Sequence, residues 1–158
     1  MSLLRPAPDA EPVSKTRLRL WLRLLRVTRS VEAELRENLR TEFASTLPRF
    51  DVMAALNRHR AGLKMSQLSG VLRVSNGNVT GIIERLVEDG HVIRVPVAGD
   101  RRASAVRLTP KGIEEFTRQA EAHESWIDAC LSGLDPDETA RMTQQLAGLM
   151  ASHDDKED

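Results

Sequence analysis

Apolar residues recur along this chain at helical spacing in most of its length and alternate in one short region. Residues 15–43 carry Leu20, Leu24, Val27, Val31, Leu35 and Leu39 as one stripe, with Leu18, Trp21, Leu25 and Thr28 as a second beside it. This spacing predicts a first helix about 40 Å long at 1.5 Å per residue, with Ser14 as its cap. Two apolar faces exceed what the core of a small monomer needs, so a partner chain is the expected cover for one of them. A second helix is predicted over Pro48–Arg58, with Phe50, Met53, Ala54 and Leu56 inward and Pro48 at the first helical position. Residues 60–64 connect it to a short helix, 65–72, a tight turn at Arg73-Val74-Ser75, and a further helix that ends at Gly90. His91–Val97 and Ser104–Leu108 are β-rich runs around a turn, Ala98–Ala103. Thr109-Pro110 opens a third long segment to about Leu131, with Ile113, Phe116, Ala120, His123, Ile127 and Cys130 on one stripe. Asp135-Pro136-Asp137-Glu138 reads as a capping box before Met142, Leu146, Leu149 and Met150. The predicted fold class is mainly α with a small β-hairpin.

The helix beginning near Ser75 has the most distinctive surface. Val79, Ile82, Ile83, Leu86 and Val87 face one way. The opposite face carries Gly77, Gly81, Glu84, Arg85 and Glu88, flanked by Asn78 and Thr80. A glycine inside a helix costs about 1 kcal/mol relative to alanine, and core packing explains neither exposed glycine. Close approach of another surface does. Asn76, Asn78 and Thr80 fall in the first turns, where a helix in a DNA major groove presents base-reading groups. Asparagine pairs bidentately with adenine, and the threonine methyl meets the thymine methyl. The hairpin turn contributes Gly99, Asp100, Arg101 and Arg102. Arginine at a hairpin tip suits the narrow, electronegative minor groove, and Asp100 is expected to pair with an arginine and fix its direction.

With those residues in view, the chain resembles the MarR family of winged helix-turn-helix transcriptional regulators over roughly residues 15–150. The most specific parts are the wing sequence Gly99-Asp100-Arg101-Arg102 and the junction Val106-Arg107-Leu108-Thr109-Pro110-Lys111-Gly112. The resemblance implies a winged helix-turn-helix with long dimerisation helices. It also implies a homodimer formed by both chain ends, and an operator of double-stranded DNA. The family's Asp-x-Arg pattern falls on Asp100 and Arg102, which makes Arg102 the minor-groove arginine with Arg101 beside it. Recognition-helix contacts fall on Ser75, Asn76, Gly77, Asn78, Thr80 and Gly81, with Arg85 reaching phosphate or a base edge. The implied activity is repression relieved by a small ligand. The Leu47–Met53 and Ser75–Thr80 stretches look most like the branch that senses aromatic acids or hydroxycinnamoyl-CoA thioesters. An aromatic carboxylate or its CoA thioester is therefore the expected effector, with a phenolic acid or a urate-type ligand still open.

Candidate effector residues follow from charge. Arg19, Arg23, Arg26 and Arg29 lie on the first helix, and guanidinium pairs well with carboxylate and phosphate; a solvated cationic face is the alternative. Asp51 lies early in the second helix, where some MarR-like proteins hold an acidic residue near the effector. A carboxylate answering the helix dipole is the alternative there.

Composition bounds these readings without deciding among them. The 158 residues suit one domain, with 41% hydrophobic and 29% charged residues. Lys plus Arg and Asp plus Glu each number 23, so basic residues have to be sorted locally rather than by bulk charge. The expected organisation is a flexible arm at 1–13 and a dimerisation helix at 14–46. A DNA-binding lobe follows at 47–109, then C-terminal dimerisation helices at 110–152 and an acidic tail at 153–158. One cysteine excludes an internal disulfide framework, and the peroxide-sensing MarR branch keeps its reactive cysteine in the first helix, where this chain has none. His123 and Cys130 share an apolar stripe, so core packing is expected rather than a metal or redox site. No phosphate loop, dinucleotide fingerprint or nucleophile elbow occurs, and neither an enzyme nor a cofactor is expected. With no signal-peptide apolar region and no apolar span, a cytoplasmic location without membrane partners is expected. A winged helix that binds ligand or protein without reading DNA is the alternative function, and Arg102→Ala separates the two.

Overall fold

Helices dominate the chain, and three short strands gather into one antiparallel sheet. The computed structural model describes residues 11–72 and 76–156, with the side chains of Asn76 and Gly77 outside the description. Its elements are α1 (Val13–Phe43), α2 (Leu47–Arg58), β1 (Leu63–Lys64), α3 (Met65–Leu72), α4 (Asn76–Glu88), β2 (Val92–Val97), β3 (Asp100–Leu108), α5 (Pro110–Cys130) and α6 (Pro136–Asp154). The chain divides into two compact units, Met1–Gln119 and Ala120–Asp158.

In the first unit the core forms where the predicted stripes converge. Leu39, Leu56, Leu68, Val79, Ile83 and Leu86 are fully buried, drawing on α1, α2, α3 and α4. Each such side chain contributes about 1.5–3 kcal/mol on leaving water. Local signals set the helix ends. The Thr46 hydroxyl accepts the Arg49 N–H at 3.3 Å, and α2 then starts at Leu47 with Pro48 in its first turn. The Gln67 side chain accepts the Lys64 N–H at 2.9 Å, closing the start of α3. One cap differs from expectation. Helix α1 begins at Val13 with Pro12 at the N-cap and no side-chain cap, so Ser14 lies inside the helix. The predicted turn at residues 73–75, the cap at Ser75, most of the N-terminal arm and the last two tail residues lie outside the described residues.

The sheet has the order β1-β3-β2, with β3 central. The expected two-stranded hairpin therefore gains a third strand from residues 63–64, which pair as Leu63↔Val106 and Lys64↔Ala105. Gly62 makes this possible at φ +110, with its N–H bonded to the His59 carbonyl at 2.8 Å. Strand β3 also begins earlier than expected, at Asp100, so the turn contracts to Ala98 and Gly99, the latter at φ +82.

In the second unit α6 opens with the predicted capping box. The Asp135 carboxylate accepts the Glu138 N–H at 2.8 Å, and Glu138 accepts the Asp135 N–H at 3.0 Å. No residue of α6 is buried, and Met142, Leu146, Leu149 and Met150 are all exposed. The N-terminal half of α1 behaves likewise: Leu35 and Leu39 are buried, whereas Leu18, Leu20, Trp21 and Val27 are each more than half exposed.

Candidate nucleic-acid interface

Burial orients α4. Its inward face holds Val79, Ile83 and Leu86, none of them accessible. Asn78, Thr80, Gly81, Glu84, Arg85 and Glu88 are exposed on the rest of its surface. A Cβ built at Gly81 meets nothing within 4 Å, so the packing of this chain does not require glycine there. Ser75 lies outside the described residues, as do the side chains of Asn76 and Gly77.

The wing acquires its shape from a break in register. Strands β2 and β3 pair regularly from Val92↔Leu108 to Pro96↔Ser104, and the next pair is Val97↔Asp100. Arg101, Arg102 and Ala103 thus have no opposite partner and bulge out of β3. Pro96 sits at the break, where its lack of an N–H weakens the ladder. The Asp100 carboxylate accepts the backbone N–H of Arg102 at 2.9 Å. This corrects the expected ion pair: among the described residues no salt bridge involves Asp100. Its acceptor reaches two residues along the chain, so it fixes the bulge backbone rather than a guanidinium. Arg101 and Arg102 are both exposed. Arg94, which the sequence did not single out, joins Arg101 and Asp100 around a wing concavity of about 500 Å³.

The Leu108–Gly112 junction ties this region to α5. The Thr109 hydroxyl accepts the Gly112 N–H at 3.0 Å as an N-cap and donates to the Gly90 carbonyl at 2.7 Å. Lys111 Nζ donates to the Asp89 carbonyl at 2.8 Å. Gly112 packs so tightly that an added Cβ would lie 2.0 Å from the His91 carbonyl oxygen. Arg49 Nη2 bonds Asp89 Oδ2 at 2.5 Å, and this hydrogen bond and charge hold the Asp89 carboxyl below the ordinary aspartate range. Sequence periodicity carried no signal for Arg49, Asp89 or Lys111, because their partners are distant along the chain.

The candidate effector residues separate. Asp51 lines a largely apolar cavity of about 610 Å³ with Thr46, Pro48, Val52, Leu72, Asn78 and Ile82. It lies beyond the first turn of α2, which contains no acidic residue, so the helix dipole does not account for it as expected. Arg19, Arg23, Arg26 and Arg29 are exposed on α1, and none of them lines this cavity. Arg19 bonds Glu11 at 2.5 Å. His123 and Cys130 are half-buried on α5, whose fully buried residues end at Gln119. Among the described residues no group of three or more His, Cys, Asp or Glu can hold a metal ion, and no helix is long and apolar enough to cross a membrane.

The MarR family model matches residues 46–103, from the N-cap of α2 to the end of the wing bulge. A solved MarR family transcriptional regulator from Silicibacter pomeroyi is 33% identical, with a TM-score of 0.74 over 91% of this chain and 99% of that one. The chain belongs to the MarR family. The HTH-type transcriptional regulator PecS of Dickeya dadantii (strain 3937) is 29% identical over 151 residues, 94% of this chain and 87% of PecS. A mutant MarR from E. coli complexed with operator DNA shares the fold, with a TM-score of 0.73 at 23% identity over 88% of this chain and 99% of that one. MarR-family membership accounts for the mostly helical architecture and the three-stranded wing.

Proposed function

We propose that this chain is a DNA-binding transcriptional regulator that acts as a homodimer and responds to a small aromatic effector. The observation that carries the reading is the exposed face of α4, polar and open at Gly81, in the same unit as a wing whose bulge exposes Arg101 and Arg102. In this reading α4 enters the major groove with Asn78, Thr80 and Gly81 toward the bases, Ser75, Asn76 and Gly77 supply further base contacts, and Arg85 meets the backbone or a base edge. Arg102 enters the adjacent minor groove, Arg101 assists, and Asp100 holds the bulge in shape. The operator complex of the E. coli relative supports this assignment by likeness of fold.

The exposed apolar residues of α1 and of α6 support dimerisation, since a second copy would remove them from water. Residues 14–46 and 110–152 then serve as dimerisation elements and residues 47–109 as the reading lobe. Two-fold symmetry gives a palindromic operator with half-sites about one helical turn apart. The cavity beside Asp51 reaches Asn78 of α4, which supports an effector site there for an aromatic acid or its CoA thioester. Arg19, Arg23, Arg26 and Arg29 of α1 are exposed guanidinium groups suited to an acidic group of the same ligand. Effector binding releases DNA only by its differential affinity for two states, and repression is the sign this reading takes.

The test is a titration of the protein against DNA from upstream of its own coding region, with excess random competitor at near-physiological salt. Competitor-resistant nanomolar binding is expected. Arg102→Ala should cost about 1–3 kcal/mol of operator affinity with the dimer intact. Binding that random DNA abolishes, in wild type and variant alike, would refute the reading.

A further inference from the structure

The C-terminal end of α4 is held from two sides by residues that reading DNA does not require. Arg49, from the first turn of α2, reaches Asp89 Oδ2 across 40 residues of sequence at 2.5 Å. From the other side Lys111 donates to the Asp89 carbonyl and the Thr109 hydroxyl to that of Gly90. The Arg49 side chain is only 18% exposed, and its Nε is buried without a partner. A phosphate contact would present the guanidinium to solvent, whereas this one is turned into the fold with Asp89 as its anionic partner. Asp89 is also oddly placed for a solvated residue, because a carboxylate beyond a helix C-terminus faces the negative end of the dipole. Both anomalies resolve if the pair exists to hold the helix end.

The geometry of a lever makes such a hold matter. Asn78 and Asp89 are eleven residues apart, about 16 Å along a helix axis at 1.5 Å per residue. A tilt of about 10° at the held end moves the other end by about 3 Å, more than the tolerance of a base-edge hydrogen bond. We propose that Arg49 and Asp89, with Lys111 capping the same carbonyl end, form a positioning clamp that fixes the tilt of α4 and so sets discrimination of operator from random DNA. The clamp rests on the reading of α4 as the DNA-reading helix. Arg49, Asp89 and Lys111 act through α4 and touch no base.

The full-length wild type is first used to select a duplex from a random-sequence pool. Selected and random duplexes then compete for wild type, Arg49→Gln, Asp89→Asn and the double variant, over a salt series well below every melting temperature. Each single variant is expected to lower the ratio of selected to random affinity by about fivefold or more, and the double variant by no more than the larger single loss, because the pair acts as a unit. Affinity for random DNA and the slope of log affinity against log salt stay unchanged, since no phosphate contact is removed. Arg49→Lys, which keeps the charge, recovers part of the ratio. Asp89→Asn carries the test alone if Arg49→Gln does not fold. Unchanged ratios in folded variants with lowered melting temperatures would make the pair merely structural and overturn the clamp. Arg49→Gln that weakens both duplexes and flattens the salt slope, with Asp89→Asn unaffected, would make Arg49 a phosphate contact and overturn it equally. If the wild type selects no duplex at all, the DNA reading itself falls before any variant is made, and the clamp falls with it.

Discussion

Replacing Gly112 by alanine should destabilise the protein, although helix propensity alone argues the reverse. Gly112 is the third residue of α5, and its φ is not positive, so alanine suits its backbone and would gain up to about 1 kcal/mol in an open helix. The opposing term is steric. The new Cβ would fall 2.0 Å from the His91 oxygen and 2.9 Å from its carbonyl carbon, both backbone atoms that cannot rotate away. Carbon contacts ordinarily sit at about 3.5–4.0 Å, so the start of α5 must retreat by more than an ångström. That retreat stretches the Thr109 N–H bond to the His91 carbonyl, now 3.0 Å, and the Thr109 hydroxyl bond to Gly90. Overpacking costs about 1–3 kcal/mol, and each weakened hydrogen bond adds about 1 kcal/mol. The net loss is about 2–4 kcal/mol, or about 10 °C in melting temperature for a chain of this size. Thermal unfolding followed by circular dichroism at fixed protein concentration reads it. Gly70→Ala in α3, where a Cβ meets nothing within 4 Å, is the control and should melt at or slightly above wild type. If Gly112→Ala also melts at or above wild type, the close approach of α5 to His91 is not a constraint.

Three further outcomes follow from the same structure. Gly81→Ala should raise stability by up to about 1 kcal/mol, because its Cβ enters open space, yet lower operator affinity about tenfold or more if DNA approaches that face; equal operator affinity in a competition titration would leave the glycine unexplained. Asp100→Ala should weaken operator binding more than Asp100→Asn, because asparagine keeps an oxygen for the Arg102 N–H; equal losses would mean that the charge, not the bulge geometry, matters. Asp89 gives a pH dependence of defined sign. Arg49 lowers its folded pKa, so its contribution is complete above the unfolded value near 4 and is lost as pH falls through the lower folded value. Between about pH 6 and about pH 3 the wild type should lose more melting temperature than Asp89→Asn, and parallel losses would remove Asp89 from the acid response.

The sequence by itself determined the elements whose causes are local. Periodicity located α2, α3, α4, α5 and α6, since a 3.6-residue repeat needs nothing but its own neighbours. The capping box at Asp135 and Glu138, the helix start at Pro48 and the Thr109-Pro110 start were legible for the same reason. So was the exposed face of α4, where Asn78 and Gly81 lie away from a stripe of valine, isoleucine and leucine. Tertiary structure decided whatever depends on residues far apart in the chain. Strand β1 is two residues long, too short for any period, and exists because Val106 and Ala105 lie beside it. Asp100 was expected to hold a guanidinium and instead holds a backbone N–H, because the bulge brings that donor within 2.9 Å. Asp51 fits a first-turn acid until the helix start at Leu47 moves it beyond that turn and the surrounding helices enclose a cavity beside it. The sequence marks Gly112 only as the end of the Leu108–Gly112 junction, and the His91 carbonyl set against it shows why that residue is glycine. Arg49 and Asp89 look like ordinary surface charges for the same reason. Hydrogen bonding and steric exclusion act over a few ångströms in space, and only the fold converts sequence separation into that distance.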